Sequence, residues 1–569
     1  MTVDSTLDTV ALDVAVADLR AGQPSWAALP LAEKITLLDG LRPKILAEAE
    51  SMVAEAARHK GLPINSPWSA EDWAGVPWAL LQGVRTLLLT LRRVEAGEPP
   101  IALSRTRTTV DGHTVVDVFP ATLDDKLLLS GYSAQVWMQD GVSREQAVAS
   151  AASMYRGKGY PHAGVSLVLG AGNVGSIAPL DVLHVLYAEG CVAIVKMNPV
   201  NDYLSPYFAR IFSEFVDRGW LRFAHGGAEV GGYLAQHPDV DAVHMTGSAA
   251  THDAIVWGTG PEAAERRAAG TPLLTKRITS ELGGVSPLIV TPGPWTDADL
   301  QYQAEHIVSS KVNNAGHNCI ATQVLVLPAE WDRSDELLER VRAVLRSLPP
   351  RKAYYPGSEA KVARAIDAQD AEVFGDTCVL VPDLDPHGNE SLLTDEVFAG
   401  AFGVVRLPGA TAAEFLANAV AFSNDVLPGT LGATLLVDTA TEKNEPAVDR
   451  AIAELRFGTL GVNVWSGMGF LLGYVPWGAF PGDTLDTIGS GIGSVHNSFL
   501  LEGVEKSVVR MPFRPMHRAA LKGHFHLSPK SPALVTNKTA SLTMKRLCTY
   551  LATDKVTALP AIFASALRG

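Results

Sequence analysis

Val165-Ser-Leu-Val-Leu169, then Gly170-Ala-Gly172-Asn173-Val-Gly175, then the apolar stretch Leu180 to Ala188, and then Val192-Ala-Ile-Val195: this part of the chain decides the fold. Two short apolar runs flank a segment of helical periodicity, and the first run ends in a glycine-rich turn. That is the strand–helix–strand unit of a parallel sheet. The rhythm continues with a helix from Tyr207 to Val216, the strand Leu221-Arg-Phe-Ala224, a helix near Val230 to Gln236, and the strand Ala242-Val-His-Met245. Working outward, a second α/β unit is expected from about 285 to 480, with strands at Ser286 to Val290, Val324 to Leu327, Thr377 to Val381, Gly403 to Leu407 and Thr434 to Val437. On the N-terminal side, residues 27 to 60 carry helical spacing, and Arg105 to Phe119 read as a hairpin turning at Asp111-Gly112.

Gly170 to Gly175 fits the GxGxxG pattern of dinucleotide sites. The chain has 50 glycines, and the next strand runs into Lys196-Met-Asn-Pro rather than an acid. A tight strand-to-helix turn accounts for the pattern as well.

At 569 residues, two or three domains are expected. With 47% apolar and 19% charged residues the chain is globular rather than disordered. No uninterrupted apolar run reaches membrane-spanning length, and Met1 to Asp8 shows neither a basic nor an apolar leader region, so no membrane or secretory role is expected. The four cysteines, Cys191, Cys319, Cys378 and Cys548, are scattered. They suggest no metal site and no disulfide framework, and a cytoplasmic, reducing location. The net charge of −14 is uneven: from Met511 to Gly569 nine Lys/Arg face one acid, so that stretch is +8 and the remainder −22. The basic residues are dispersed among apolar ones such as Ala561-Ile-Phe-Ala, which points to packing on an acidic body rather than to nucleic acid.

Two segments carry chemistry. Ile278-Thr-Ser-Glu281-Leu-Gly-Gly284 presents a carboxylate in a glycine-ended turn, and Asn313-Asn-Ala-Gly-His-Asn-Cys319 presents a thiol before an apolar strand. A soft nucleophile with a potential base suits covalent catalysis on an electrophilic carbon.

From about residue 25 to 510 the motif order resembles the aldehyde dehydrogenase superfamily. It runs through Asn173, Lys196, His225-Gly-Gly227, Val230-Gly231, Thr246-Gly247-Ser248, Glu281-Leu-Gly-Gly, Cys319, Asp395-Glu396-Val-Phe398 and Gly461-Val-Asn463. The resemblance implies an α/β fold of two Rossmann-like domains with a small β oligomerisation element. The domains would be a cofactor-binding part (1–285, hairpin 105–119 included), a catalytic part (286–490), an oligomerisation strand (491–515) and a basic extension (516–569). It implies an NAD- or NADP-dependent oxidation of an aldehyde to its acid, in a homodimer or homotetramer. Cys319 would be the nucleophile, Asn173 an oxyanion donor and Glu281 the base. Lys196, Gly227, Gly231, Thr246, Gly247, Ser248, Leu282, Glu396 and Phe398 would hold the cofactor.

The chain departs from the family pattern at several places. His317 replaces a common glutamine, Gly172 a common aromatic residue, and Ala249-Ala-Thr-His252 a usual Val-Gly-like pair. Extra residues near Gly258 to Thr271 suggest a surface helix or loop. Pro476-Trp477-Gly-Ala479 stands where Pro-Phe-Gly-Gly is common. Trp465, Met468, Phe470, Trp477 and Phe480 are either tunnel walls or packing. Pro199 sits where NAD-using relatives often carry an acid, so both cofactors stay open. A CoA-acylating relative or a non-catalytic member are the alternative readings.

Overall fold

The computed structural model describes residues 7–64, 66–160, 162–368, 370–515 and 530–569. Arg518 and Lys522 of the basic stretch lie outside them. The βαβ reading holds. A six-stranded sheet has the spatial order Gly491–Ile492, Arg277–Leu282, Ala242–Gly247, Val165–Leu169, Val192–Lys196, Leu221–Ala224. All pairs are parallel except Gly491–Ile492, which runs antiparallel to Arg277–Leu282. The central strands are buried along their whole length, as strands covered on both faces must be.

The second sheet has 11 strands. Ser286–Val290, Thr322–Pro328, Ala401–Leu407, Cys378–Leu384, Gly432–Leu436 and Thr459–Val462 form its parallel part. The expected hairpin is present as Thr106–Thr108 paired with Thr114–Phe119, and it joins the same sheet through Ser133–Met138 and Val504–Arg510. Val504–Arg510, in the expected oligomerisation strand, pairs with Ser133–Met138 on one side and Thr459–Val462 on the other, within one chain. Among the described residues the edge strands of this sheet are Thr106–Thr108 and Glu372–Phe374.

The expected N-terminal helix is Leu31–His59, and Thr9–Ala27 is a second one that weak periodicity concealed. The latter buries Val16, Leu19 and Trp26 against the first sheet, with the Trp26 indole donating to the Leu186 carbonyl at 3.1 Å. Ser69–Glu95 is long and apolar enough to cross a membrane by length and composition, but it is mostly buried inside the protein. Pro261–Ala269 is the exposed helix expected from the extra residues.

The basic stretch packs on its own chain. Ala540–Thr553 places Thr543, Met544, Leu547, Cys548 and Leu551 on one buried face at helical spacing. It lies against Leu31–His59 and Ser69–Trp73. Arg42 donates to the Leu551 carbonyl at 2.9 and 2.6 Å and pairs with Asp554, and Lys545 pairs with Glu50. Arg514 meets Asp299 at 2.6 Å and Lys530 meets Glu305 at 3.1 Å.

Candidate active site

Cys319 lies between helix Asp297–Val312 and strand Thr322–Pro328. The approach is a strained turn: Asn314, Ala315 and Gly316 have φ of 52°, 57° and 79°. Left-handed backbone at an alanine is costly and persists only where the surroundings impose it. Asn314 supplies much of that constraint. Its side-chain oxygen accepts from Lys60 Nζ at 2.8 Å and Tyr354 OH at 3.0 Å; its amide donates to the carbonyls of Asn173 at 2.9 Å and His317 at 3.1 Å. Nothing in the sequence marked Asn314 as a hub, since its role depends on partners far along the chain.

Glu281 ends its strand in register with Thr246 and Gly491. The following turn is pinned by Ser490, whose carbonyl accepts from Leu282 N at 2.8 Å and whose hydroxyl donates to the Gly283 carbonyl at 2.9 Å. The Glu281 carboxyl is 4.0 Å from the Cys319 sulfur. Its Oε1 also accepts from the indole of Trp477, and its Oε2 has no hydrogen-bond partner among the described residues. Burial raises the Glu281 carboxyl to about 8, with the Asp181 charge adding to this and the Trp477 indole opposing it. Burial also pushes the Cys319 thiol well above its ordinary value. The Glu281 and Glu396 charges act the same way, while the backbone N–H groups of Cys319 and Ile320 oppose them.

Asn173 sits in the turn after strand Val165–Leu169 and lines the same pocket as Glu281 and Cys319. One N–H of its amide is taken by the His317 carbonyl at 3.0 Å, the one donation it makes among the described residues. The GxGxxG glycines serve packing. A Cβ on Gly170 would lie 2.7 Å from the Ala178 Cβ, and one on Gly175 2.9 Å from a Val76 methyl. Gly172 has a local reason too: a Cβ there would lie 2.6 Å from Asn198 Oδ1 and 2.9 Å from the Val200 Cβ. The loop after Lys196 thus fills the space an aromatic residue would need.

The remaining expected residues line up along the C-terminal edge of the first sheet. Lys196 ends its strand, largely buried; burial lowers its ammonium group against the pull of Glu229 and Asp202. Gly227 caps helix Ala228–Gln236 and its N–H donates to Glu229 at 2.9 Å. Gly231 is buried on Leu169. Gly247 and Ser248 are exposed at the start of helix Ala249–Val256, with the Ser248 hydroxyl accepting from Thr251 N at 3.2 Å. Thr246 turns inward and donates to Asp181 at 3.3 Å. Glu396 reaches across from the second sheet to pack on Gly283, and Phe398 follows it with φ of 48°.

These residues fit a dinucleotide. The Gly247–Ser248 turn offers exposed helix-start N–H groups to a pyrophosphate. Glu396 Oε1 is buried without a partner among the described residues, and burial raises that carboxyl to about 7. An unpaired buried acceptor of this kind is a hydrogen-bonding site for a hydroxyl-bearing ligand.

His317 fills space, as its buried position allows. It packs among Tyr354, Tyr355 and Phe398, and its Nε2 meets the Ser358 hydroxyl at 2.6 Å. Burial, with Arg351, Lys60 and Lys311 nearby, lowers its imidazole to about 3, so it is neutral. Behind Glu281 lies a network that the sequence did not reveal. Buried Asp181 accepts from Thr246 and faces His496 Nε2 at 3.1 Å and His244 Nε2 at 3.5 Å. Burial works to raise the Asp181 carboxyl, but the two imidazoles more than offset it.

Residues 136–370 match the model of the Aldehyde dehydrogenase family. The aminoacetaldehyde dehydrogenase of Pseudomonas aeruginosa is 29% identical over 301 residues, covering 48% of this chain and 54% of that protein. The chain thus spans about half the length of this curated relative. The crystal structure of a putative aldehyde dehydrogenase from Burkholderia cenocepacia shares the fold at a TM-score of 0.58 and 20% identity, covering 88% of this chain and 91% of that one. An NAD-dependent aldehyde dehydrogenase from Sinorhizobium meliloti does so at a TM-score of 0.59 and 18% identity, covering 90% and 88%. The motif order and the two sheets thus agree with the match of residues 136–370 to the aldehyde dehydrogenase family, and the chain as a whole shares the fold of the aldehyde dehydrogenase structures.

Proposed function

We propose that this protein oxidises an aldehyde to its carboxylic acid with NAD(P), through a covalent intermediate on Cys319. The observation that carries the reading is the 4.0 Å approach of the Cys319 sulfur to the Glu281 carboxyl, in one pocket with Asn173. The thiol passes its proton to water as the sulfur adds to the aldehyde carbon. The second N–H of the Asn173 amide stabilises the oxyanion, where charge develops. When bound, NAD(P) supplies the hydride acceptor, and a thioester is left on Cys319. Glu281 then takes a proton from water, which attacks the thioester and releases the acid.

The groups that would hold the dinucleotide are Lys196, Gly227, Gly231, the Gly247–Ser248 turn, Leu282, Glu396 and Phe398. Asp202 and Glu229 both act on Lys196. Two carboxylates at that end would repel a 2′-phosphate, which supports NAD over NADP. Glu281 beside the thiol supports water, rather than CoA, as the acyl acceptor. A homodimer or homotetramer is the assembly the superfamily implies, with the Thr106–Thr108 edge strand as its meeting point.

The test is an aldehyde panel assayed with NAD and NADP side by side. Reduction of NAD by at least one aldehyde is expected, and Cys319→Ala abolishes it. An undiminished rate in that variant would sink the mechanism.

A further inference from the structure

We infer that residues 531–566 complete a chamber for the apolar tail of the substrate, so that the protein takes aldehydes with a long aliphatic chain. The inference rests on the function proposed above and names its substrate class. Two cavities lie side by side. The one holding Cys319, Glu281 and Asn173 encloses about 670 Å³ of empty space, and its neighbour about 1390 Å³, solvent at the mouths included. They share Glu71, Ala74, Asn313, Trp465 and Leu471 as lining, so the second continues from the first.

The larger cavity is built from two directions. Trp78, Met468 and Leu472 come from the body of the protein; Val535, Met544, Leu547 and Ala566 come from the stretch 531–566. Among the described residues, Glu71 is the one lining side chain that carries a charge, and it is neutralised by Arg351 at 3.0 Å. Hydroxyl and amide residues such as Tyr132, Asn313 and Thr543 also line it, but among the described lining residues a charged tail would find no counter-charge, whereas an alkyl chain loses nothing. Met468, Met511 and Met544 all face the space. Their flexible thioethers suit a chain that adopts many conformations and comes in more than one length. The helix carrying Met544 and Leu547 packs against Leu31–His59 and Ser69–Trp73 and is anchored through Arg42 and Asp554, and Thr543, Met544 and Leu547 of its buried face also line the cavity.

The experiment measures kcat/KM of the full-length protein for straight-chain aldehydes from propanal to tetradecanal. Buried methylenes should raise kcat/KM by about two- to fourfold each over the early part of the series. Met544→Glu and Ala566→Trp, one charging and one filling the chamber, should lower the dodecanal-to-propanal ratio by at least about tenfold. A flat series, or variants that leave the ratio unchanged, would overturn the chamber while leaving aldehyde oxidation intact. Because a buried glutamate can prevent folding, Ala566→Trp serves as the second variant. A binding arm separates the two readings: sodium dodecanoate should quench the tryptophan fluorescence of the wild-type protein and bind about tenfold more weakly to Ala566→Trp. No turnover of any aldehyde, with dodecanoate binding intact, would remove the oxidation and keep the chamber; absence of that binding would remove the chamber.

Discussion

The Trp477 indole N–H donates to the same Glu281 oxygen that faces the Cys319 thiol. One donor therefore sets both the position and the acidity of the candidate base. That hydrogen bond favours the ionised carboxylate and works against burial. Trp477→Phe should keep the ring and lose the donor, so the Glu281 carboxyl rises above about 8. The alkaline rise of kcat in a pH–rate profile should move up by about one pH unit. An unmoved profile would show that Glu281 does not limit turnover.

Glu281→Gln preserves shape and removes the base. Acylation of Cys319 should persist while hydrolysis of the thioester stalls. Rapid mixing should show a burst of reduced cofactor of about one equivalent, followed by a steady rate lower by roughly two to four orders of magnitude. Loss of the burst itself would assign Glu281 to the thiol step instead.

Gly172→Phe should fail through packing. Its Cβ would meet Asn198 and Val200 at less than van der Waals distance. The loop after Lys196 must shift, so we expect destabilisation by about 1–3 kcal/mol in urea unfolding and weaker cofactor binding. Val200→Gly in the same chain should return part of the loss.

Lys311 is 1% exposed, and its amino group has no hydrogen-bond partner among the described residues. Burial lowers it from 10.5 to about 7. Between those values the unfolded chain binds a proton that the folded one does not, so this lysine costs stability as pH falls through that window. Lys311→Met should therefore stabilise the protein at neutral pH. The gain should level off below about pH 7 and vanish above about pH 10.5. Melting temperatures of both proteins at pH 6, 8 and 10 would show it; a constant difference would exclude a neutral buried lysine.

The legible part of the fold was the part built from local pattern. Strands such as Val192–Lys196 are continuous apolar runs bounded by turn residues, and the order of strands and helices follows from them. Thr9–Ala27 was illegible because its buried residues, Val16, Leu19 and Trp26, are too few to make a stripe. At the site, Cys319 and Glu281 announce themselves by residue type and neighbours, Asn173 only through the motif order of the resemblance, and the structure lines one pocket with all three. Asn314, Asp181 and Ser490 do not. Each is an ordinary polar residue whose function arises from partners brought close only by folding. Trp477 was legible as an aromatic wall but not as a hydrogen-bond donor, because only tertiary geometry aims its N–H at Glu281.

The helix Ala540–Thr553 meets Leu31–His59 and Ser69–Trp73 across most of the chain's length. Contacts of such sequence separation carry a large loop-closure entropy and form late in folding. The turn before Cys319 is held by Lys60 and Asn173, and the strand after it pairs with Ser286–Val290 and Ala401–Leu407, all at shorter sequence separations than those of Ala540–Thr553 from Leu31–His59. During refolding the thiol should thus be in place while this side is still open to water. Pulse labelling with a small and a bulky thiol reagent would time the two events, with protection from the bulky reagent arriving second.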